Sequence, residues 1–296
     1  MTQPGNRPRP KFRQLLSRCR QSFSRGWDWH LLAAGYGATF LLCGIAALWL
    51  PDMPEVFIRS HLTPPPLDGA PSAEHWFGLG PGRIDMMAPV LKSAGLSVWL
   101  SLLATLAGVI AGVLIATALH GVWRGGWLGD LASAATATPA VIAVLLLVSG
   151  WGAGFWTLVM ILGACCAIPI AARCAEWYLE MDTRGDVLAA RAMGWSRWRL
   201  AGDQFLTRIW RRSAASAAML LPGVLLAEGT IGFIRDGGGD LRRIGHLIAA
   251  GRDHSLDAPW LLFWPGAVLG GLAMLLAAFA WAVRRTVDEP VHERLW

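Results

Sequence analysis

The sequence predicts an all-α membrane protein of about six transmembrane helices. Three observations carry that prediction: long apolar runs, a low and clustered charge content, and an uneven distribution of basic residues along the chain. Hydrophobic residues fill 54% of the 296 positions, only 16% are charged, and the mean hydropathy is +0.44. A soluble domain carries roughly a quarter of charged residues. Here the charges collect between the apolar runs.

Inside a bilayer every backbone amide must find its hydrogen bond within its own segment, so crossing a core of roughly 30 Å takes about 20 helical residues. Six runs meet or approach that length: 31–50, 94–120, 131–150, 155–172, 213–234 and 259–283. They define a membrane domain over 31–283, with a basic arm at 1–30 and a tail at 284–296. Glu228 is the one Asp, Glu, Lys or Arg within the six runs, as a cost of about 2.5–3.5 kcal/mol per central charge enforces. The first run is too long for a secretory signal and lacks an A-x-A site, so it reads as an uncleaved anchor. In the second and third runs, Ala104, Gly108, Gly112, Ala132, Ala134 and Ala135 are small enough to let helices approach closely. Cys19, Cys43, Cys165, Cys166 and Cys174 lie in the basic arm, in runs or at a run end, so no disulfide framework is expected.

The basic residues set the orientation. Seven precede the first run, eight lie in the 173–212 loop and three follow Val283. The alternate loops, 51–93 and 235–258, hold three and four. Retention of Lys and Arg on the inner side therefore puts both termini and the 173–212 loop in the cytoplasm. The net charge of +6 sits largely beside run ends, from Arg7 to Arg25 and from Arg191 to Arg212. That placement suits anionic lipid headgroups, and no nucleic-acid partner is expected.

Transport against a gradient needs energy, and a nucleotide motor needs a G-x-x-x-x-G-K-[ST] phosphate cradle. Neither lysine, Lys11 or Lys92, follows such a loop, so any ATP must be hydrolysed by another chain. The seven histidines, His30, His61, His75, His120, His246, His254 and His292, lie in loops, tails or at run edges. No catalytic group and no metal set is expected, and the chain does not read as an enzyme.

In the 173–212 loop, Val187 to Ala192 favours a helix, and Gly194 predicts either a break or a close approach of another backbone. Trp195 and Trp198 are expected on one face, beside Arg191 and Arg199. Such a segment either lies on lipid or presents a knob to a cytoplasmic protein.

Ala189-Ala190-Arg191-Ala192-Met193-Gly194 followed by Phe205-Leu206 resembles the cytoplasmic E-A-A-x-x-x-G loop of ABC importer permeases, with Leu188 at the acidic position and Thr207 at the proline. Glu228-Gly-Thr-Ile-Gly-Phe-Ile234 is similar to E-A-S-L-S-F-L of the dipeptide, oligopeptide and nickel permease group, C-type subunit. Gly251-Arg252-Asp253, Ala258-Pro259-Trp260-Leu261 and Pro265-Gly266 match its G-R-D, A-P-W-L and P-G in order. His75-Trp76-Phe77-Gly78, Gly82-Arg83 and Asp85 resemble its H-P-F-G-T-D-x-x-G-R-D, with Leu79 and Gly80 in place of Thr-Asp.

The resemblance implies a type I ABC importer transmembrane domain whose coupling loop, Ala189, Ala190, Arg191, Gly194, Trp195 and Trp198, docks on an ATPase. The partners implied are a second permease, two cytoplasmic ATPases holding ATP and Mg, and an extracytoplasmic binding protein that delivers a peptide or metal chelate. This chain would bind no cofactor itself. A helix over Asp186 to Gly202 would serve as the lever. Glu228 either pairs with a base such as Arg235 or lines the translocation path. Leu241, Ile244, Leu247 and Ile248, with Arg242, Arg243 and His246 between them, predict a short amphipathic outer helix. It either seals the bilayer edge or, by resemblance, meets the binding protein through Arg242, Arg243, Arg252 and Asp253. A scaffold or degenerate permease and an ion-coupled transporter are the alternative readings.

Overall fold

The computed structural model describes residues 38, 42–45, 49–50, 69–122, 140–152, 154–196, 207–234, 243–252 and 254–288. The arm at 1–30 lies outside them. Beyond the helical residues described within 38–49, the chain forms a small antiparallel hairpin, β1 (Leu79–Gly80) paired with β2 (Ile84–Asp85) across a 3-10 turn at Pro81–Arg83. Seven helices follow among the described residues: α1 (Met87–Val122), α2 (Ala140–Trp151), α3 (Phe155–Asp182), α4 (Gly185–Ala192), α5 (Thr207–Ile234), α6 (Ile244–Arg252) and α7 (Trp260–Asp288). Segments Met87–Leu119, Phe155–Asp182, Arg212–Ile234 and Trp260–Arg284 are long and apolar enough to cross a membrane. Of the apolar runs 31–50 and 131–150, only parts are described.

The central pair is α1 and α3. Lipid tails are as apolar as leucine, so these helices gain little from leaving lipid and associate by close packing of small residues. Gly163 faces Ala104, Ala107 and Gly108, Gly112 faces Ala167 and Ile170, and Thr117 meets Tyr178, so the two helices run parallel. A Cβ on Gly112 would sit 2.7 Å from the Ala167 carbonyl oxygen, and one on Gly108 would lie 2.7 Å from the Gly163 oxygen. Hydroxyls on α1 bond within their own helix: Ser101 and Thr105 donate to the carbonyls of Ser97 and Ser101 at 2.8 and 2.7 Å. Thr117 Oγ1 likewise donates to Val113 O, which leaves Tyr178 as the donor in the 2.7 Å hydroxyl contact between α1 and α3.

The helix α3 runs ten residues past its apolar run of 155–172. Residues 173–182 are good helix formers, and buried Tyr178 and Met181 keep packing on the cluster that includes α1 residues Val113 and Ala116. The loop expected from 173 thus begins as helix. On the other side of α1, helices α5 and α7 are antiparallel, with Gly229 against Leu269 and Met219 beside Arg284. The described part of the first apolar run touches α1 through Gly44 on Trp99 and through a 2.7 Å bond from Lys92 Nζ to Leu50 O.

The hairpin caps the start of α7. Phe77 stacks on Trp264 at 4.6 Å with 4° between planes, and Trp260 Nε1 donates to Leu79 O at 3.1 Å. Gly78, at φ +77°, lies so close to the Trp260 ring that a Cβ would come within 2.7 Å of it. His75 Nδ1 and Asp85 Oδ2, 3.1 Å apart, close the hairpin's base.

Gly108→Leu should wedge α1 from α3 and destabilise the protein by about 1–3 kcal/mol, read as a lowered thermal midpoint in mild detergent. Gly270→Ala, where a Cβ meets nothing within 4 Å, should leave the midpoint unchanged or raise it.

Candidate functional site

Two places in the bundle concentrate the residues singled out by sequence. They lie at opposite ends of α5.

At the first end, α3 turns into α4 through Thr183 and Arg184. Val187 and Ala190 are buried against α3 and Ile209 of α5, which fixes one face of the short helix. Its charges are satisfied locally: Arg191 Nη2 bonds Asp182 Oδ1, and Arg184 Nε stands 3.8 Å from Asp186 Oδ1. The outward face is apolar instead. Leu188 is 51% and Met193 71% exposed, with Ala189 and Ala192 exposed between them.

The helix ends at Ala192 in a Schellman arrangement. Trp195 N donates to Ala190 O at 3.1 Å and Gly194 N donates to Arg191 O at 2.9 Å. This geometry requires a left-handed residue, and Gly194 supplies it at φ +83° with open space around its Cα. The glycine is therefore a break, and among the described residues no other backbone approaches it. A continuous helix from Asp186 to Gly202 is corrected by the same geometry, because Trp195 is already outside the helix and folds back onto the Ala190 cluster. Trp198 lies outside the described residues. A second tie joins α3 to α5 nearby: Arg212 Nη1 bonds Glu180 Oε2 at 3.3 Å, with its guanidinium 5.8 Å from the Trp177 ring centre.

At the other end, Glu228 is completely buried and faces α6 instead of an open surface. Its Oε1 is 3.6 Å from Nη1 of Arg243, which is 3% exposed, and Arg243 Nη2 is 3.2 Å from Nε2 of His246, also 3% exposed. The base facing Glu228 is Arg243, since α6 folds back over α5, whereas Arg235 lies outside the described residues. Arg243, expected at a surface that meets the binding protein, is 3% exposed among the described residues. Of the polar residues expected on the outer helix, Arg243 and His246 are both packed inward, on the side of the Glu228 carboxylate. Arg252 stays exposed, 5.7 Å from the Phe233 ring centre, and Arg242 and Asp253 lie outside the described residues.

Ser97 and His246 complete this second place, and neither was singled out as a site residue. Ile244 N donates to Ser97 Oγ at 3.3 Å, tying the start of α6 to α1. The spacing of Arg243 and His246 by three positions is a helical-neighbour signal, while nothing in the sequence near Ser97 points 147 residues ahead.

Arg243→Met, which strands a buried carboxylate, should cost about 3–5 kcal/mol. Arg252→Ala, which removes an exposed cation–π contact, should cost about 0.5–1 kcal/mol. Paired thermal melts in one detergent check the difference. Gly194→Ala should cost about 1–2 kcal/mol through its left-handed backbone alone, and hydrogen exchange should show the faster opening confined to α4.

Comparison with known proteins fits this architecture. Residues 108–288, from the α1–α3 crossing to the end of α7, match the family described as binding-protein-dependent transport system inner membrane component. The chain is 26% identical over 260 residues to the probable D,D-dipeptide transport system permease protein DdpC of Escherichia coli (strain K12), covering 84% of this chain and 83% of the relative. It is 27% identical over 254 residues to a protein of Brucella ovis named as a peptide permease, covering 83% and 81%. A Brucella suis protein named as a peptide transport system permease matches at 25% identity over 221 residues, 74% of each chain. With more than half of its length matched and a bundle of membrane-crossing helices across that match, the chain belongs to the inner membrane components of binding-protein-dependent transport systems, as a multi-pass permease subunit of an ABC importer.

Proposed function

We propose that this subunit pairs with a second permease to form the path of a peptide importer, driven by two ATPases on the cytoplasmic side and loaded by an extracytoplasmic binding protein. ATP and Mg are held by the ATPases, and this chain binds neither. Both termini and the α3–α5 connection, α4 included, face the cytoplasm, in keeping with the distribution of arginines. The names of the relatives support a peptide as cargo.

The observation that carries the reading is the α4 elbow. An eight-residue helix is stapled to the bundle by Val187 and Ala190, stopped by Gly194, and turns Leu188, Ala189 and Met193 outward. A solvated helix gains nothing from an apolar outer face, whereas a helix that seats in another protein's groove does. The elbow is also bonded to α3 through Arg191 and packed on α5 through Ile209, so force applied to it reaches two spans.

Affinity purification of the full chain in mild detergent should bring down an ATPase, and Leu188→Asp should weaken that association about tenfold or more, as loss of an anchor residue does. Absence of any co-purifying ATPase would overturn the reading. A cysteine placed at Ser196 in a cysteine-free background should resist a membrane-impermeant maleimide in intact cells and react after permeabilisation. Labelling in intact cells would reverse the proposed orientation. In vesicles reconstituted with the whole assembly, peptide uptake should stop when ATP is withheld.

A further inference from the structure

The charged cluster at the far end of α5 has no part in the elbow, and its energetics need a reason. A buried ion pair seldom stabilises a fold more than apolar residues of the same volume would. Glu228, Arg243 and His246 are at most 3% exposed. What such a pair does supply is direction: each charge accepts few positions of its partner, so the elements carrying them are held in one register.

The surroundings make that register unusually narrow. Helices α5 and α6 touch backbone to backbone, with Gly232 3.0 Å in Cβ terms from Gly245 Cα, and with Gly245 itself hard against the Gly229 carbonyl. Ser97 Oγ holds the Ile244 amide from the α1 side at 3.3 Å. Gly251, in the last turn of α6, abuts the Leu261 carbonyl of α7, where a Cβ would come to 2.6 Å. The start of α6 is therefore fixed by α1 and α5 together, and its end rests on α7. The same α5 is tied at its opposite end to α3, through Arg212 and Glu180, next to the elbow.

We infer that Glu228, Arg243 and His246, with Ser97, are positioning residues for coupled transport: they lock α6 to α5 and α1, so that a displacement of the elbow reappears as a displacement of α6 and the turn that follows it. The inference rests on the elbow being the point where the ATPase acts. Leu256, 98% exposed in that turn, is the place to read the movement.

The experiment uses the complex isolated with its ATPase, with this chain's native cysteines replaced and an environment-sensitive fluorophore on Leu256→Cys. With the cluster intact, adding ATP and Mg should shift the emission. The pair Glu228→Gln with Arg243→Met removes both charges together. It should retain ATP hydrolysis and keep the thermal midpoint above that of Arg243→Met alone, while the ATP-driven response at position 256 falls about tenfold or more, the range of a typical coupling energy. Ser97→Ala, with both charges kept, is the second arm and should give a partial loss of the response without loss of hydrolysis.

A full response in either charge-free or Ser97→Ala complexes would overturn the inference and reduce the cluster to packing. A silent label in the intact complex would also overturn it, since α6 would then not follow the elbow. Failure of any ATPase to co-purify would instead sink the functional reading on which it stands. These three results are separable at the bench.

Discussion

The approach of α1 to α3 without intervening side chains is the constraint on which the rest of the bundle depends. In lipid there is little hydrophobic gain from joining two apolar helices, so what holds them is contact area between close backbones. Gly108, Gly112 and Gly163 permit that approach, and one buried cluster continues from their crossing to the packed face of α4. The elbow is placed by this crossing. Because α3 continues as helix past its apolar run, Val187 and Ala190 meet a rigid end and not a loose loop.

Much of this was legible in the sequence, for reasons that differ by element. Four long spans follow from the requirement that lipid-embedded backbone bond to itself, which forces runs of apolar residues that no soluble helix needs. Gly194 announced an interruption because few other residues tolerate a left-handed stop. The end of α3 lies beyond the apolar run, since hydropathy marks where lipid ends and not where a helix does. Helix-forming residues simply carried it ten further.

The electrostatics were the least legible part. Glu228 was visible as an anomaly in an apolar run, but its counter-charge depends on how α6 folds back, and sequence proximity suggested Arg235 instead. Periodicity gives α6 as a short helix, but it does not say that Arg243 and His246 are buried. A polar stripe can face water or a buried carboxylate with the same spacing, and only the tertiary arrangement separates the two. The outward apolar face of α4 has a similar history: Leu188 read as a departure from a motif, while the structure makes it part of the surface on offer.

The three long helices α3, α5 and α7 each contain one internal proline, Pro169, Pro222 and Pro265, and each such ring leaves a carbonyl one turn earlier without its usual amide. In α7 that oxygen belongs to Leu261, the same one on which Gly251 of α6 rests. The proline in α1, Pro89, is confined to the first turn, where no bond is lost. Backbone bonding is thus unevenly shared: past its first turn α1 meets no proline, while each of its three neighbours lacks one rung of its hydrogen-bond ladder partway along.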